Sequence, residues 1–362
     1  MHSCCRKLCT PDCHFLCIVA YRLQASLKTL NELLTDNQQY EMLNGIDVSR
    51  NHVAMTLIAI YRLGAASEQM TAYYSSKHKK QILPYVGDTI LINEENWHQF
   101  LGTSGSTSYI RFFLDKVDAG GVDLTLKTYL PKLISGVVAH AYHPLLRLAY
   151  GIDIKNEREI AFALAYFAST YHKGPAAISK GVPGTFSEML SKMTAKEFLE
   201  KVDATGNNIE SRISQVFNSL EFLNRLGPLD FDNYDPTKII SKEIMYAFEK
   251  IHDFTLLHGV TSCHAMRTVL PYISDQKKAV TEYCYSLCAA YVSVLKARTE
   301  IKSSPLPEYD SNESSLKIKA VKSMNEHTIK LIYTCFKEYE IYKRPEYLQL
   351  ITREVLTPAQ FK

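Results

Sequence analysis

Apolar side chains recur along most of this chain at the three-to-four-residue spacing of an α-helix. Residues 21–35 place four leucines on one helical stripe, and the apolar stretch 51–64 ends at Gly64, a residue type that often follows a helix. The same pattern predicts helices at 67–80, 107–118, 122–150, 157–172, 186–203, 207–226, 239–258, 261–273, 276–301 and 316–342. No stretch alternates apolar and polar residues persistently, so the sequence predicts an all-α fold.

Proline and glycine interrupt the helical pattern at several places. Pro131, Gly136 and Pro144 fall inside 122–150, which predicts that this stretch consists of two or three helical segments. Residues that favour turns are concentrated in three further stretches, and these are predicted as loops. The loops are 84–105, 173–186 and 303–315.

The composition is that of a folded globular protein. Apolar residues make up 46% of the 362 residues and charged residues 22%, a balance that excludes a disordered chain. The formal charge is +3, and the 41 basic and 38 acidic residues are spread along the chain without a basic stripe, so we expect no nucleic-acid partner. The apolar stretch "CHFLCIVAY" is much shorter than the roughly 20 residues of a membrane-spanning helix, so we expect no membrane span.

Nine cysteines divide the chain into a leader and a domain. An odd number without a regular framework argues against a secreted disulfide scaffold and favours a cytoplasmic location. Cys5, Cys9, Cys13 and Cys17 recur every four residues, which fits a metal or lipidation site or simply a variable leader. We therefore predict a poorly ordered cysteine-rich leader, residues 1–23, followed by one all-α domain, residues 24–362.

Histidines fall within several apolar helical stretches. A bundle builds a metal site in its core from side chains on facing helices, and imidazole binds iron, zinc, copper and nickel alike. These histidines therefore predict a bundle-like domain with a central histidine-lined pocket, although histidine packing and structural hydrogen bonds explain the same pattern. The sequence contains no HExxH, CxxC pair, GxGxxG or GxxxxGK[ST] motif. The candidates are His52, His140, His143, His258, His264 and His327.

His327 and Lys330 are three residues apart in "MNEHTIKLIY" and share one helical face. Lys330 can extend along apolar neighbours to reach water. The alternative is that both side chains point inward at a common ligand.

Four motifs resemble those of the questin oxidase-like family. They are "NHVAM", "HPLLRLAYGID" with "EREIAFALAYFASTYH", "LLHGVTSCHAMRTVLPYI" and "EHTIKLIYTCFKEY", and their order and spacing extend the resemblance over about residues 27–356. The resemblance implies an O2-dependent oxidoreductase, a mono- or dioxygenase of Baeyer–Villiger or ring-cleaving type, that acts on an aromatic, polyketide-like molecule. It also implies NADPH as a possible reductant, although the chain has no dinucleotide fingerprint.

The resemblance further implies a mononuclear non-haem Fe(II) site with four histidines and a carboxylated lysine as ligands. Carried over by motif, the ligands are His52, His143, His258, His327 and Lys330, with His264 and His140 as reserves. A lysine ammonium cannot bind a metal, but a desolvated neutral amine can take up carbon dioxide as an anionic carbamate. Thr261, Asn51 and Glu326 are candidates for orienting the imidazoles, although helix capping explains the same residues.

Arg147 stands where the fungal relatives often carry histidine. It could bind a phenolate or carboxylate of the substrate, or form a structural ion pair with Glu157 or Glu159. Two other functions compete with the oxygenase. One is a non-catalytic helical scaffold or ligand-binding protein with structural histidines, and the other is a zinc hydrolase.

Overall fold

The computed structural model describes residues 11–40, 43–44, 49–50, 52–78, 90–103, 106–232, 235–298 and 306–356, without the side chains of 11–20, 22, 43–44 and 49–50. Helices account for nearly all of the regular structure. The helices are α1 (Pro11–Asn37), α2 (Val53–Arg62), α3 (Ser67–His78), α4 (Ser106–Leu133), α5 (His143–Asp153), α6 (Glu157–Ser169), α7 (Phe186–Lys192), α8 (Lys196–Lys201), α9 (Ile209–Phe217), α10 (Leu220–Leu223), α11 (Pro236–Ile251), α12 (Phe254–Val269), α13 (Gln276–Ala297), α14 (Glu313–Val321), α15 (Glu326–Tyr342) and α16 (Pro345–Leu356).

In the described ranges the extended structure includes one small ladder and an isolated parallel bridge between Gly184 and Leu229. Strand β1 (Leu43–Asn44) pairs antiparallel with β2 (Ser49–Arg50). Three short 3₁₀ turns, Trp97–Gln99, Ile134–Gly136 and Leu270–Tyr272, join the longer helices. The prediction of a single all-α domain is therefore confirmed.

Four helices form the centre of the molecule. α2 contacts α5, α5 contacts α12, α12 contacts α15, and α15 contacts α2, which closes a ring of four helices. α2 is buried along its length from Val53 to Ile60, and every residue of α12 from Thr255 to Met266 is buried. A helix that is enclosed on all sides belongs to the core, so the ring is the interior of the domain.

Side-chain caps fix where two of these helices begin. Asp253 accepts a hydrogen bond from the backbone N–H of Thr255 at the start of α12. Asn325 accepts from the backbone N–H groups of His327 and Thr328 at the start of α15. Asp and Asn satisfy the free N–H groups of a first helical turn, and the caps therefore set which residues occupy the first turns.

The predicted boundary between 239–258 and 261–273 is wrong. α11 ends at Ile251, His252 adopts the left-handed conformation with φ 49°, and α12 begins at Phe254. His252 occupies the position after a helix that is usually glycine. The sequence therefore has no glycine there that would predict the end of α11. As a consequence, His258 lies near the beginning of a helix rather than at the end of one.

Other departures follow from similar local features. The predicted helix 122–150 is divided, as expected, and Gly121 with φ 75° interrupts α4 before it. The predicted helix 316–342 is two helices, because Asn325 caps a new one. α16 was not predicted, and α1 runs without a break across the predicted leader boundary at residue 23. The leader itself stays a prediction.

None of the helices in the described ranges has the length and apolar character needed to cross a bilayer. Cys263, Cys284, Cys288 and Cys335 are buried free thiols. Cys5 and Cys9 lie outside the described residues, and the side chains of Cys13 and Cys17 are not described.

Candidate metal centre

Four imidazoles contact one another at the centre of the helix ring. The His52 ring stacks on the His143 ring with centroids 4.5 Å apart and planes 13° from parallel. The His143 and His258 rings are 4.8 Å apart, the His258 and His327 rings 5.3 Å, and the His327 and His52 rings 4.8 Å. Each of the four central helices thus supplies one member of a closed circle of histidines.

All four histidines belong to the beginnings of their helices. His52 is the residue that precedes α2, His143 is the first residue of α5, His327 the second of α15, and His258 the fifth of α12. A helix N-terminus carries a partial positive charge of about half a unit. Four such ends meet around the imidazoles, so the centre favours anionic groups.

Hydrogen bonds at Nδ1 fix the tautomer of three imidazoles. His52 Nδ1 donates to Glu326 Oε1 at 2.8 Å, His258 Nδ1 to the carbonyl of Phe254 at 2.7 Å, and His143 Nδ1 to the carbonyl of His140. An oxygen acceptor requires the proton on Nδ1, which leaves the lone pair on Nε2. This is the arrangement of histidines that bind a metal through Nε2.

The spacing of the nitrogen atoms fits a shared ion. One ring nitrogen from each of His52, His143 and His327 lies within 4.8 Å of the others. The Nε2 atom of His327 is buried and has no hydrogen-bond partner among the described residues. Burial first, and then the positive charge of Lys330, lower the pKa of His327, so this imidazole is neutral and can donate its lone pair.

Lys330 lies inside the protein, with 1% of its surface exposed. It follows His327 by one helical turn on α15, and helical side chains lean toward the N-terminus of their helix. Its charge lowers the pKa values of both His327 and Glu326, which places it near both side chains. The alternative in which Lys330 extends into solvent is therefore wrong.

Glu326 connects the centre to a neighbouring helix. Its Oε1 accepts from His52, while its Oε2 lies 3.4 Å from Lys77 Nζ and 3.5 Å from the hydroxyl of Tyr73, both on α3. Burial alone would raise the pKa of Glu326, but the hydrogen bond from His52 and the charges of Lys330 and Lys77 hold it well below the usual carboxyl range. Glu326 is therefore an ionised acceptor, as its predicted orienting role requires.

Phe254 packs against two members of the histidine circle. Its ring centroid is 4.6 Å from that of His258 and 4.7 Å from that of His327, both in edge-on geometry. The side chain is half-buried. Sequence reasoning missed Phe254, Tyr73 and Lys77, and the one local signal was the position of Phe254 one turn before His258.

A left-handed turn introduces His143. Three consecutive residues, His140, Ala141 and Tyr142, have φ values of 46°, 53° and 65°. This conformation costs a residue other than glycine about 1–2 kcal/mol, and it normally occurs at single positions. The turn directs the carbonyl of His140 to Nδ1 of His143 and starts α5 at the histidine circle.

The two reserve histidines point elsewhere. His140 Nε2 lies 3.6 Å from Glu210 Oε2, and its Nδ1 lies 3.4 Å from the hydroxyl of Tyr166. His264 packs its ring against Tyr333 at 5.8 Å, and burial lowers its pKa to about 3. Neither belongs to the group of three histidines whose ring nitrogens lie within 4.8 Å of one another, and His258 is also outside that group, although its ring contacts those of His143 and His327.

The remaining candidates occupy structural positions. Arg147 is buried and pairs with Glu159, with Nε to Oε1 at 2.5 Å and Nη2 to Oε2 at 3.2 Å, which is one of the two alternatives for this residue. The hydroxyl of Thr261 donates to the carbonyl of His258 at 3.2 Å and so contacts its backbone rather than its ring. Asn51 lies outside the described residues.

Comparison with known proteins identifies the family. A model of the questin oxidase-like family matches residues 49–335, a range that contains all four histidines and Lys330. The chain belongs to the questin oxidase-like family. The resemblance seen in the four sequence motifs is thereby confirmed.

Curated relatives match over shorter stretches. Baeyer-Villiger monooxygenase dmxR6 of Cryptosporiopsis sp. is 26% identical over 197 residues, which cover 48% of this chain and 44% of the relative. Oxidoreductase AflY of Aspergillus parasiticus is 28% identical over 127 residues, 32% of this chain and 26% of the relative. Baeyer-Villiger oxidase AgnL3 of Paecilomyces divaricatus is 26% identical over 166 residues, 42% of this chain and 36% of the relative. The matched region spans less than half the length of each relative.

Proposed function

We propose that this questin oxidase-like protein is an O2-dependent oxidoreductase that acts on an aromatic, polyketide-like small molecule at a mononuclear non-haem iron site. The observation that carries the proposal is the closed circle of His52, His143, His258 and His327 at the meeting point of four helix beginnings. The names of the matched relatives, two Baeyer-Villiger enzymes and an oxidoreductase, support the same class of reaction.

The donor set suits a divalent iron ion. His52, His143, His258 and His327 would hold it through Nε2, and imidazole is an accepted ligand for iron. Bound Fe(II) supplies the means to activate O2, which organic side chains lack. Hydrogen bonds from Nδ1 to Glu326 and to two backbone carbonyls hold the rings in place, so the ligand positions are set before any metal arrives.

Lys330 would provide the fifth ligand as a carbamate. Its neutral amine attacks carbon dioxide, forms the N–C bond with its lone pair and releases one proton to solvent, which leaves an anionic oxygen. Lys330 is buried beside the histidine circle, and the positive ends of the surrounding helices favour an anionic carbamate.

The surroundings of the site would exclude water from the substrate. Phe254 packs edge-on against His258 and His327 and adds a half-buried apolar ring to the surroundings of the centre. Such a ring can stack on an aromatic substrate. An apolar wall beside the site also strengthens the electrostatic interactions inside it.

Metal analysis tests the proposal. Protein purified without added metal should contain about one iron per chain, and His143→Ala should lose it while remaining folded. His98→Ala, which changes an exposed histidine outside the circle, is the matched control and should keep its iron. The absence of any transition metal, with stability unchanged by a chelator, would favour the scaffold. Zinc at near stoichiometry with no O2 uptake would favour the hydrolase.

The need for NADPH is tested by oxygen balance. A dioxygenase transfers both atoms of O2 to the product and needs no external electrons. A monooxygenase transfers one atom and reduces the other to water with two electrons and two protons, for which NADPH is the proposed source. Isotopically labelled O2 with an anthraquinone as the probe distinguishes the two reactions, and only the second should consume NADPH.

A further inference from the structure

The histidines of the centre differ in what their Nδ1 atoms contact. His143 and His258 donate to neutral backbone carbonyls, of His140 and Phe254. His52 donates to the charged carboxylate of Glu326 at 2.8 Å. A carboxylate acceptor draws the Nδ1 proton more strongly than a carbonyl, and the imidazole then becomes a stronger electron donor. The electron donation of His52 can therefore be adjusted through Glu326.

Two residues of α3 act on the same carboxylate from the other side. Lys77 Nζ is 3.4 Å from Glu326 Oε2, and the hydroxyl of Tyr73 is 3.5 Å from the same oxygen. They are one helical turn apart, and the Lys77 ammonium lies 5.8 Å from the centroid of the Tyr73 ring. The negative charge of Glu326 is thus divided between His52 through Oε1 and this pair through Oε2.

We propose that Lys77, with Tyr73, is a positioning residue that sets the electron donation of His52 through Glu326, and thereby the reduction potential of the bound iron. The inference rests on the proposed function, because it requires a metal on Nε2 of His52. The alternative is an ordinary partly exposed ion pair: the Lys77 side chain is 29% exposed and that of Glu326 25%, and such pairs have little effect on their surroundings.

The direction in which the reduction potential changes distinguishes tuning by Lys77 from an ordinary ion pair. Lys77→Met removes the competing positive charge, so Glu326 should draw the His52 proton more strongly and lower the Fe(III)/Fe(II) potential. Glu326→Gln removes the carboxylate charge and should raise that potential, with a loss of iron affinity of about 10–100-fold. Tyr73→Phe should shift the potential in the same direction as Lys77→Met, but less. A purely structural role predicts no such opposition of sign.

The experiment is redox titration of the iron-loaded protein with an optical readout, together with iron affinity measured by chelator competition. Lys77→Arg should restore the wild-type potential, because the charge is kept. Lys116→Met is the matched control, since it removes a half-exposed lysine from an ion pair with Glu94. Lys77 is partly exposed, so its variants should fold, and thermal unfolding checks this.

Each outcome decides between the proposals. Opposite shifts for Lys77→Met and Glu326→Gln support the inference. Shifts of the same sign, or shifts no larger than that of Lys116→Met, overturn it and leave the iron site intact. A wild-type protein that holds no transition metal overturns the proposed function, and the inference with it.

Discussion

Helices α12 and α15 carry buried polar groups at both ends, and the two ends differ in how those groups are satisfied. At their beginnings, His258 and His327 present similar nitrogen atoms to a common centre. Further along, Arg267 of α12 pairs with Glu338 of α15, whose other oxygen accepts from Ser241. Charges and hydrogen-bond partners are complementary in the second region, whereas the first brings four imidazole rings together.

This difference distinguishes buried polar groups that stabilise the fold from buried polar groups that indicate a functional site. A network in which donors meet acceptors and opposite charges pair is complete in itself and holds the helices together. A set of like imidazole acceptors gathered in one place does not stabilise the fold in this way, and such clusters are typical of functional sites. The same two helices therefore contribute to stability at one end and to the proposed chemistry at the other.

The largest expected effect comes from breaking the closed network. Arg267→Met should lower the free energy of unfolding by about 3–5 kcal/mol, because the fully buried carboxylate of Glu338 loses its charged partner. Urea unfolding measures the loss. Arg344→Met removes a half-exposed pair with Glu346 and should cost about 1 kcal/mol or less.

Measuring the iron content of the same variant tests whether the two regions are independent. The Arg267→Met protein, where folded, should hold as much iron as the wild type, because the histidine circle lies at the other end of both helices. Loss of iron without loss of stability would contradict the division between the two regions.

The second expected effect is on the pH dependence of stability, and it comes from His264, which is buried between the two regions. Burial lowers the pKa of His264 to about 3, against 6.5 in an unfolded chain. The unfolded state therefore binds the extra proton between these values, and stability falls as the pH falls below 6.5. His264→Gln should reduce the loss of stability between pH 6.5 and pH 5 by about 2 kcal/mol.

The measurement is denaturant unfolding of both proteins at several pH values. The histidines of the metal centre are unchanged in the variant, so the difference between the two curves isolates His264. Parallel curves for the two proteins would show that His264 is protonated in the folded state and would contradict its low pKa.

The smallest expected effect concerns the left-handed turn before His143. Glycine adopts positive φ without strain, so Ala141→Gly should relieve the turn. The matched control is Ala163→Gly, at an equally buried position in the regular helix α6. Ala141→Gly should destabilise less than the control by about 1–2 kcal/mol, and it should weaken iron binding because the His140 carbonyl is held less firmly.

Calorimetry of both variants measures the destabilisation, and chelator competition measures the affinity for iron. Equal destabilisation would mean that the turn stores no strain. Such a result would mean that the turn, like the Arg267–Glu338 network, has a structural role and is not part of the proposed metal centre.

Some features of the site were readable from the sequence because they depend on local interactions. Apolar periodicity predicts the central helices, and Glu326 was a candidate either for capping a helix start or for orienting an imidazole. His52, His143, His258 and His327 were identified through family motifs, and the structure brings them into contact. The identity of the metal, the carbamate on Lys330 and the pocket beside the rings stay predictions.

Other features had no local signal. His252 ends α11 in a left-handed conformation without glycine, and three consecutive non-glycine residues form the turn before His143. The residues in these two turns do not predict a left-handed conformation from their type, because the packing around each turn holds it in place. The contact of Lys77 with Glu326 likewise joins two helices that are far apart in the chain.

The sequence by itself determined that this protein is helical, which family it resembles and which side chains can bind a metal, since spacing and residue chemistry act over a few neighbouring residues. Only the tertiary structure decided that four helices begin at one point. His52 and Glu326 are separated by 274 positions, and long-range packing of the core brings them within hydrogen-bonding distance. That packing turned Lys330 inward and placed α3 against the carboxylate that orients His52.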